Sequence, residues 1–451
     1  MQLTRRHFLT GTSSLALASL APGRPLPRPR RDKIRLGVVG VWNRGRANLE
    51  GVLGEEVVAL CDVDERHLGQ GAELVGQRTD GTRKPVLFKD YRRMLDCPEI
   101  LDAVVVSTAD HTHASVAAAA LRRGLHVYCE KPLAHSPGEI LLLQGLAREK
   151  GLVTQMGTQI HAGDNYRRVA ELIRSGAIGE VQYAQVWVSK GWADGRFGQT
   201  KPAPAHLDWD LWQGPVAERP YCDGLHPANW RRFWEYGTGT LGDMACHLMD
   251  VVHWALELGQ PVRVMSEGPA WHPVGTPNWM RAHFVHRVPK TGGGQRDLVV
   301  HWADSGASGD YAQEGFPSGI RFVGSSGSLV CHYGNYVLEP AEKFTEFEAP
   351  APSIPRSVGH YREWLNGITE GTPTTCNFDY SGDLACTVVL GNVAYRVGEA
   401  YDGPEPYPYL KRTARKTEWR GEIEWDAATG STGQAAADAL LLREYREGWE
   451  L

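Results

Sequence analysis

A strand, a glycine turn and a helix follow one another between residues 34 and 46, and no other feature restricts the possible folds of this chain so tightly. Residues 34–39 form a short apolar, β-branched run, which is a strand signal. Gly40-Val41-Trp42-Asn43-Arg44-Gly45 follows, and a helix-compatible segment begins near Arg46. This order aims backbone N–H groups and a helix dipole at a pyrophosphate. A second strand at 57–60 ends in Cys61-Asp62, which puts a carboxylate 22 residues after Gly40. That is where a ribose 2′-hydroxyl finds its acceptor, and the charge there would repel a 2′-phosphate. NAD is therefore expected over NADP, with Arg44, Arg46 and Arg66 leaving NADP open. The glycine pattern departs from G-x-G-x-x-G at its second position, where Trp42 stands.

Alternation continues. An apolar strand at 101–106 runs into Ser107-Thr108-Ala109-Asp110-His111-Thr112-His113, an Ala-rich helical stretch reaches Gly124, and a strand at 126–129 delivers Glu130-Lys131-Pro132. Alternating strands and helices imply a parallel sheet, with ligands at the carboxyl ends of its strands. The turn at 40–45, Asp62, the Thr108-x-x-x-x-His113 loop and, most specifically, Glu130-Lys131-Pro132 resemble the Gfo/Idh/MocA oxidoreductase family over residues 33 to about 400. The resemblance implies that Lys131 lies beside the nicotinamide and the reacting hydroxyl as a catalytic residue. Cofactor contacts are expected from Gly40, Trp42, Asn43, Arg44, Gly45, Asp62, Thr108, His113, Glu130 and Lys131.

Beyond residue 158 the texture changes. An amphipathic helix is expected at 165–175, stopped by Gly176, and a strand at 180–190. A loop-rich insert with Trp192, Trp209, Trp212, Trp230 and Trp234 follows. In the segment 237–250, helical from about Leu241, Asp243 and His247 lie one turn apart with Asp250 close to the same face. The family resemblance implies that His247 is the general base and that Asp243 orients it or binds a second hydroxyl. Tyr166, Trp187, Trp230 and Asp250 are candidate substrate contacts. Asp243, His247, Asp250 and His253 could instead ligate a metal, but His253 is rotated by about 100° or more from His247 on an ideal helix, so no metal is expected. Strands are read at 281–286, 297–302, 319–323 and 328–332, and helices at 360–369 and 382–397. The tail from about Thr413 carries no readable motif.

The 451 residues divide into an expected leader at 1–31, a Rossmann domain at 32–155 and a substrate-binding and oligomerisation domain at 156–451. The fold class is α/β: a parallel-sheet Rossmann domain, then an α+β domain with a large, mostly antiparallel open sheet. In this family such a sheet packs against another subunit, which implies a homodimer or homotetramer. Thr4-Arg5-Arg6-His7-Phe8-Leu9 resembles a twin-arginine export signal. A short apolar stretch and a Pro/Arg-rich linker follow it, so an extracytoplasmic location and no stable membrane span are expected. A net charge of −5 without a long basic run after residue 35 argues against nucleic acid. Eight scattered cysteines include no Cys-x-x-Cys pair, which excludes zinc-ribbon and thioredoxin motifs. Trp 15 against Phe 10 suits the stacking of sugar rings as well as a Trp-rich core. The expected activity is hydride transfer between NAD and a hydroxyl of a sugar, polyol or glycoside. The alternatives are NAD-dependent glycoside cleavage through transient oxidation, or a non-catalytic sugar or nucleotide sensor.

Overall fold

The structure, a computed structural model, describes residues 33–451 except 291, 405, 406, 408 and 411–415. The segment that resembles a twin-arginine signal, and the linker after it, lie outside the described residues. Two sheets organise the rest. The first holds β1 (Arg35–Val39), β2 (Glu56–Cys61), β3 (Val86–Phe88), β4 (Ala103–Val106), β5 (His126–Cys129) and β6 (Thr154–Met156). All pairs are parallel, in the order β3-β2-β1-β4-β5-β6. This is the doubly wound dinucleotide-binding order, whose crevice opens between β1 and β4. β4 is Ala-Val-Val-Val and wholly buried, as a strand covered by helices on both faces must be. Local signals set the helix ends. The helix Glu65–Arg78 is capped by Asp64, whose side chain accepts the Arg66 N–H. The helix Pro137–Lys150 starts with a Ser136/Glu139 capping box and stops at Gly151 in the left-handed region.

The second sheet holds β7 (Val181–Val188), β8 (Arg263–Gly268), β9 (Arg281–Pro289), β10 (Gln295–Asp304), β11 (Gly319–Gly324), β12 (Ser328–Cys331), β13 (Tyr336–Glu339), β14 (Glu399–Ala400) and β15 (Trp419–Glu424). Its order is β13-β12-β11-β7-β10-β9-β8-β15-β14, antiparallel except for the β7–β10 pair. The expected mostly antiparallel sheet is thus present, with four strands that local pattern missed: β8 inside it and β13, β14 and β15 toward its ends. The last of these comes from the unreadable tail and pairs with β8. One continuous hydrophobic core joins the two sheets, including Val104 and Val106 of the first and Val186 and Phe284 of the second. The helix Phe378–Arg396 packs on the helices Pro137–Lys150 and Gly239–Leu248 and on β8, so it locks both sheets together.

The Trp-rich insert after β7 forms a small core of its own. Leu207, Trp212, Tyr221, Leu225, Trp230, Phe233 and Tyr236 pack together over Val63 and Ala109, at the carboxyl ends of β2 and β4. All eight cysteines are free, and all but Cys97 are buried. Among the described residues no helix is long and apolar enough to cross a membrane.

Candidate active site

A cavity of about 370 Å³ opens at the carboxyl ends of β1, β2, β4 and β5 and is roofed by the insert. It collects Gly40, Trp42, Asn43, Arg44, Asp62, Thr108, His113, Glu130 and Lys131 from the first sheet, with Trp230, Asp243 and His247 from the second half. Gly45 lies just behind, in the first turn of the helix Arg44–Val52.

The phosphate turn is built for close approach. Gly40 sits at φ +80, and a Cβ there would lie 2.5 Å from the Ser107 carbonyl oxygen. A Cβ on Gly45 would lie 2.1 Å from the Gly40 oxygen. Both positions therefore demand glycine. The helix starting at Arg44 has no side-chain cap, an arrangement that can receive a pyrophosphate. Trp42, at the usual middle glycine, lays its indole flat on His67, with centroids 4.8 Å apart and planes 12° apart. Asp62 accepts the Val41 N–H at 3.0 Å and the Asp64 N–H at 2.9 Å. Burial pushes its pKa up to about 6 against these donors.

Two loops meet at the Lys131 end of the cavity. His113 points Nδ1 at the Pro132 oxygen (2.8 Å) and Nε2 at the Thr108 oxygen (3.1 Å), so it clamps the loop after β4 to the loop after β5. The Glu130 carboxylate accepts from Asn48 (2.9 Å) and Gln159 (2.7 Å), and a Cβ on Gly157 would strike it at 2.5 Å. Lys131 Nζ donates to the Asp243 backbone oxygen at 2.5 Å and to Asp243 Oδ1 at 2.8 Å. Asp243 also receives Lys190 Nζ (2.8 Å), Trp192 Nε1 (2.8 Å) and Arg231 Nε (3.2 Å). Burial opposes ionisation of this carboxyl, but Lys131, Arg231 and Lys190 outweigh it and hold the group well below the usual carboxylate range. His247 is pushed down to about 3 by burial and then by the Lys131 charge, so it is a neutral imidazole at pH 7. Its Nδ1 is buried without a hydrogen-bond partner among the described residues.

Four expectations are corrected. Asp243 does not orient His247; its carboxylate is spent on Lys131, Lys190, Arg231 and Trp192. Tyr166 is fully buried, and its hydroxyl donates to the His247 carbonyl at 2.9 Å, so it supports the histidine's backbone rather than substrate. Trp187 is fully buried too: strand parity puts Ala184, Val186 and Val188 in the main core and turns Trp187 to the other face, where its Nε1 donates to the Phe316 oxygen at 2.9 Å. Asp250 opens a separate helix, Asp250–Leu256, after a break at Met249, and accepts from His161 at 2.9 Å and Tyr380 at 2.7 Å, away from the cavity. His253 packs near His286, with centroids 5.3 Å apart, so Asp243, His247, Asp250 and His253 point to different surroundings.

Sequence reasoning missed Lys190, Arg231 and Trp449 at the cavity. Lys190 ends an expected strand and Arg231 follows Trp230, so both carried a local signal. Trp449 did not. It reaches the cavity from the tail, under the Arg92 guanidinium at 4.3 Å and beside Tyr91 at 6.1 Å.

Comparison with known proteins agrees with this geometry. Residues 34–158 match the Gfo/Idh/MocA oxidoreductase family model with an NAD-binding Rossmann fold. Residues 171–289 match that family's C-terminal alpha/beta domain. A glycosyl hydrolase family 109 protein of Shewanella pealeana is 28% identical over 211 residues, or 41% of this chain and 46% of the relative. The chain thus spans less than half the length of that curated relative. The fold is shared with a levoglucosan dehydrogenase solved with NADH and levoglucosan (TM-score 0.52, 18% identity, covering 79% of this chain and 95% of that one). It is shared also with the WlbA dehydrogenase of Bordetella pertussis solved with NADH and UDP-GlcNAcA (TM-score 0.54, 16% identity, 79% and 95%). With both halves of the family pattern matched and a dinucleotide turn facing a lysine–carboxylate pair, this chain belongs to the Gfo/Idh/MocA oxidoreductase family and carries its NAD-binding Rossmann domain.

Proposed function

We propose that this protein is an NAD-dependent oxidoreductase acting on a hydroxyl of a sugar, polyol or glycoside. The observation that carries the reading is the Lys131–Asp243 pair, with His247, in the same cavity as the Gly40 turn and Asp62. The turn at 40–45 and the open start of the helix Arg44–Val52 would hold the pyrophosphate, and Asp62 the ribose hydroxyls. When bound, the nicotinamide supplies a two-electron acceptor. Lys131, locked by Asp243, presents an ammonium that stabilises negative charge on the substrate oxygen. His247 is neutral and takes the hydroxyl proton. Asp62, carrying negative charge, disfavours a 2′-phosphate, which favours NAD over NADP. Trp192, Trp212, Trp230 and Trp449 on the cavity wall offer flat apolar faces to a sugar ring.

A second reading is supported by the curated relatives, which are named as glycosyl hydrolases of family 109. In it the same residues serve a redox-neutral glycoside cleavage: an oxidised ring carbon acidifies the neighbouring C–H, loss of that proton eliminates the aglycone, water adds to the resulting double bond, and the two electrons held by the reduced cofactor return to the carbonyl. One assay separates the two. Free sugars and aryl glycosides are screened with NAD while NADH and released aglycone are followed together. NADH accumulation supports the dehydrogenase; aglycone release without net NADH supports the glycosidase; no binding of NAD(H) overturns both. Export through the twin-arginine route and a homodimer or homotetramer built on the nine-stranded sheet complete the proposal. Cell fractionation and light scattering test them.

A further inference from the structure

Beside the ribose carboxylate lies a cluster that the proposed chemistry does not use. Asp64 is fully buried, and its Oδ2 is approached by His226 Nε2 at 3.1 Å, His206 Nδ1 at 3.1 Å and His67 Nε2 at 3.8 Å. We infer that Asp64, His67 and His226, whose ligand atoms all lie within 4.8 Å of one another, form a binding site for a divalent transition-metal ion of the zinc type. Ligands about 2.0–2.1 Å from a tetrahedral zinc stand roughly 3.3 Å apart, and the Asp64–His226 and Asp64–His67 separations bracket that spacing. A donor set of two imidazoles and one carboxylate, with a fourth position left open, suits zinc.

Hydrogen bonding alone does not account for the cluster. A neutral imidazole has one N–H, and one carboxylate oxygen cannot satisfy three rings. His206 Nδ1 is buried and makes no hydrogen bond despite its nearness to Asp64 Oδ2. The second Asp64 oxygen is engaged elsewhere, accepting the Arg66 N–H at 3.0 Å. The Arg66 side chain also reaches Oδ2 at 3.3 Å, but it is 59% exposed and can turn into solvent.

The surroundings resemble the outer shell of a metal site. His67 Nδ1 lies 4.0 Å from Asp62 Oδ1, so the ring stands between Asp64 and the Asp62 carboxylate. Trp42 stacks on the same ring, which gives the residue in place of the middle glycine a task. The ligands come from two segments already stitched together: Glu65 N–H donates to the His206 oxygen at 2.9 Å and Asp208 N–H to the Val63 oxygen at 2.9 Å. An ion here staples the insert to the turn after β2 and fixes the wall next to Asp62. Slower NAD release is the consequence, and that clause alone rests on the proposed function.

Metal analysis of tag-free, full-length protein tests the site, with Zn²⁺ and Co²⁺ titrated into chelator-treated samples. About one zinc per chain is expected, and Co²⁺ should give the visible bands of a tetrahedral ion. His226→Ala and, separately, the milder His67→Asn should weaken Zn²⁺ binding by more than about 100-fold, and Trp42→Ala by about 10-fold. The Zn²⁺-dependent rise in Tm should vanish in His67→Asn while its circular dichroism stays native. Absence of retained metal together with no saturable Zn²⁺ uptake overturns the site, as does unchanged Zn²⁺ affinity in both histidine variants. Neither outcome touches NAD binding, which is measured separately by fluorescence.

Discussion

Asp243 and Asp62 stand at two ends of one cavity, their side chains 7% and 10% exposed, yet their acidities move in opposite directions. The parallel-sheet order separates β5, which delivers Lys131 to Asp243, from β2, which ends at Asp62, by two strands. Asp243 is ringed by Lys131, Lys190 and Arg231 and stays ionised far below the usual range. Asp62 is met by two backbone N–H groups, with His67 the only basic group within 4.0 Å among the described residues, and rises to about 6. Equal burial therefore gives unequal charge, and the donors decide which. The inner carboxylate is a fixed anion that holds a lysine in place. The outer one keeps acceptor capacity beyond its two backbone donors.

Lys131→Met tests the inner end with the largest expected effect. Turnover should fall by about 10³-fold, or ~4 kcal/mol of transition-state stabilisation, while NAD affinity changes little. Near-normal turnover would remove the lysine from the chemistry. Asp243→Asn comes next. It leaves three cations crowded without their carboxylate, and losing one member of a buried ion pair costs about 3 kcal/mol or more. Thermal unfolding should show a clear drop in Tm. Asp62→Asn is the matched control, because no lysine or arginine depends on it: stability should stay within about 1 kcal/mol and NAD affinity should weaken about 10-fold. Equal loss of stability in the two variants would break the comparison.

A smaller effect comes from titration. Asp62 is an acceptor carboxylate above a pKa of about 6 and a neutral acid below it, so NAD affinity should weaken severalfold as pH falls from 7 to 5. Asp243 stays ionised across that range and His247, at about 3, stays neutral, so turnover at saturating NAD should show no inflection from either group. A titration calorimetry series in pH reads the first, and a kcat profile reads the second. A kcat limb near pH 6.5 that disappears in His247→Gln would show an ordinary histidine and refute its neutral assignment.

Legibility differs between the same two regions. The first sheet is readable because each of its ligand-facing residues lies within a few positions of a strand end, as Asp62 does after β2 and Lys131 after β5. Even its anomaly is visible in the sequence: Trp42 stands out, though only the stacking on His67 explains it. The short exposed β3 leaves no apolar run and escapes notice. The pair Asp243/His247 is also legible from spacing, but the partners of Asp243 are not, since Lys190 and Arg231 lie 53 and 12 residues away in sequence. Trp187 and Asp250 mislead for two physical reasons. A strand buried on both faces shows no polar alternation, and a helix break at Met249 re-aims the residues beyond it. β15 and Trp449 belong to a tail placed by long-range contacts, so no local pattern could locate them.

Tyr166 offers the finest test of how the inner end is held. Its hydroxyl is buried among apolar neighbours and donates to the carbonyl of His247, not to the imidazole. Tyr166→Phe keeps the ring and removes one neutral hydrogen bond, so about 1 kcal/mol of stability should be lost. The carbonyl it leaves belongs to the last turn of the helix Gly239–Leu248, where the chain breaks before Asp250. A freer carbonyl there lets the histidine shift by a fraction of an ångström, which orientation-dependent catalysis registers as about a 3- to 10-fold fall in kcat. NAD affinity should be unchanged, because Asp62 and the 40–45 turn are held by β1 and β2 of the first sheet. A fall in NAD affinity equal to the fall in kcat would mean that the two ends of the cavity are mechanically one, and that the contrast between their carboxylates does not extend to how they move.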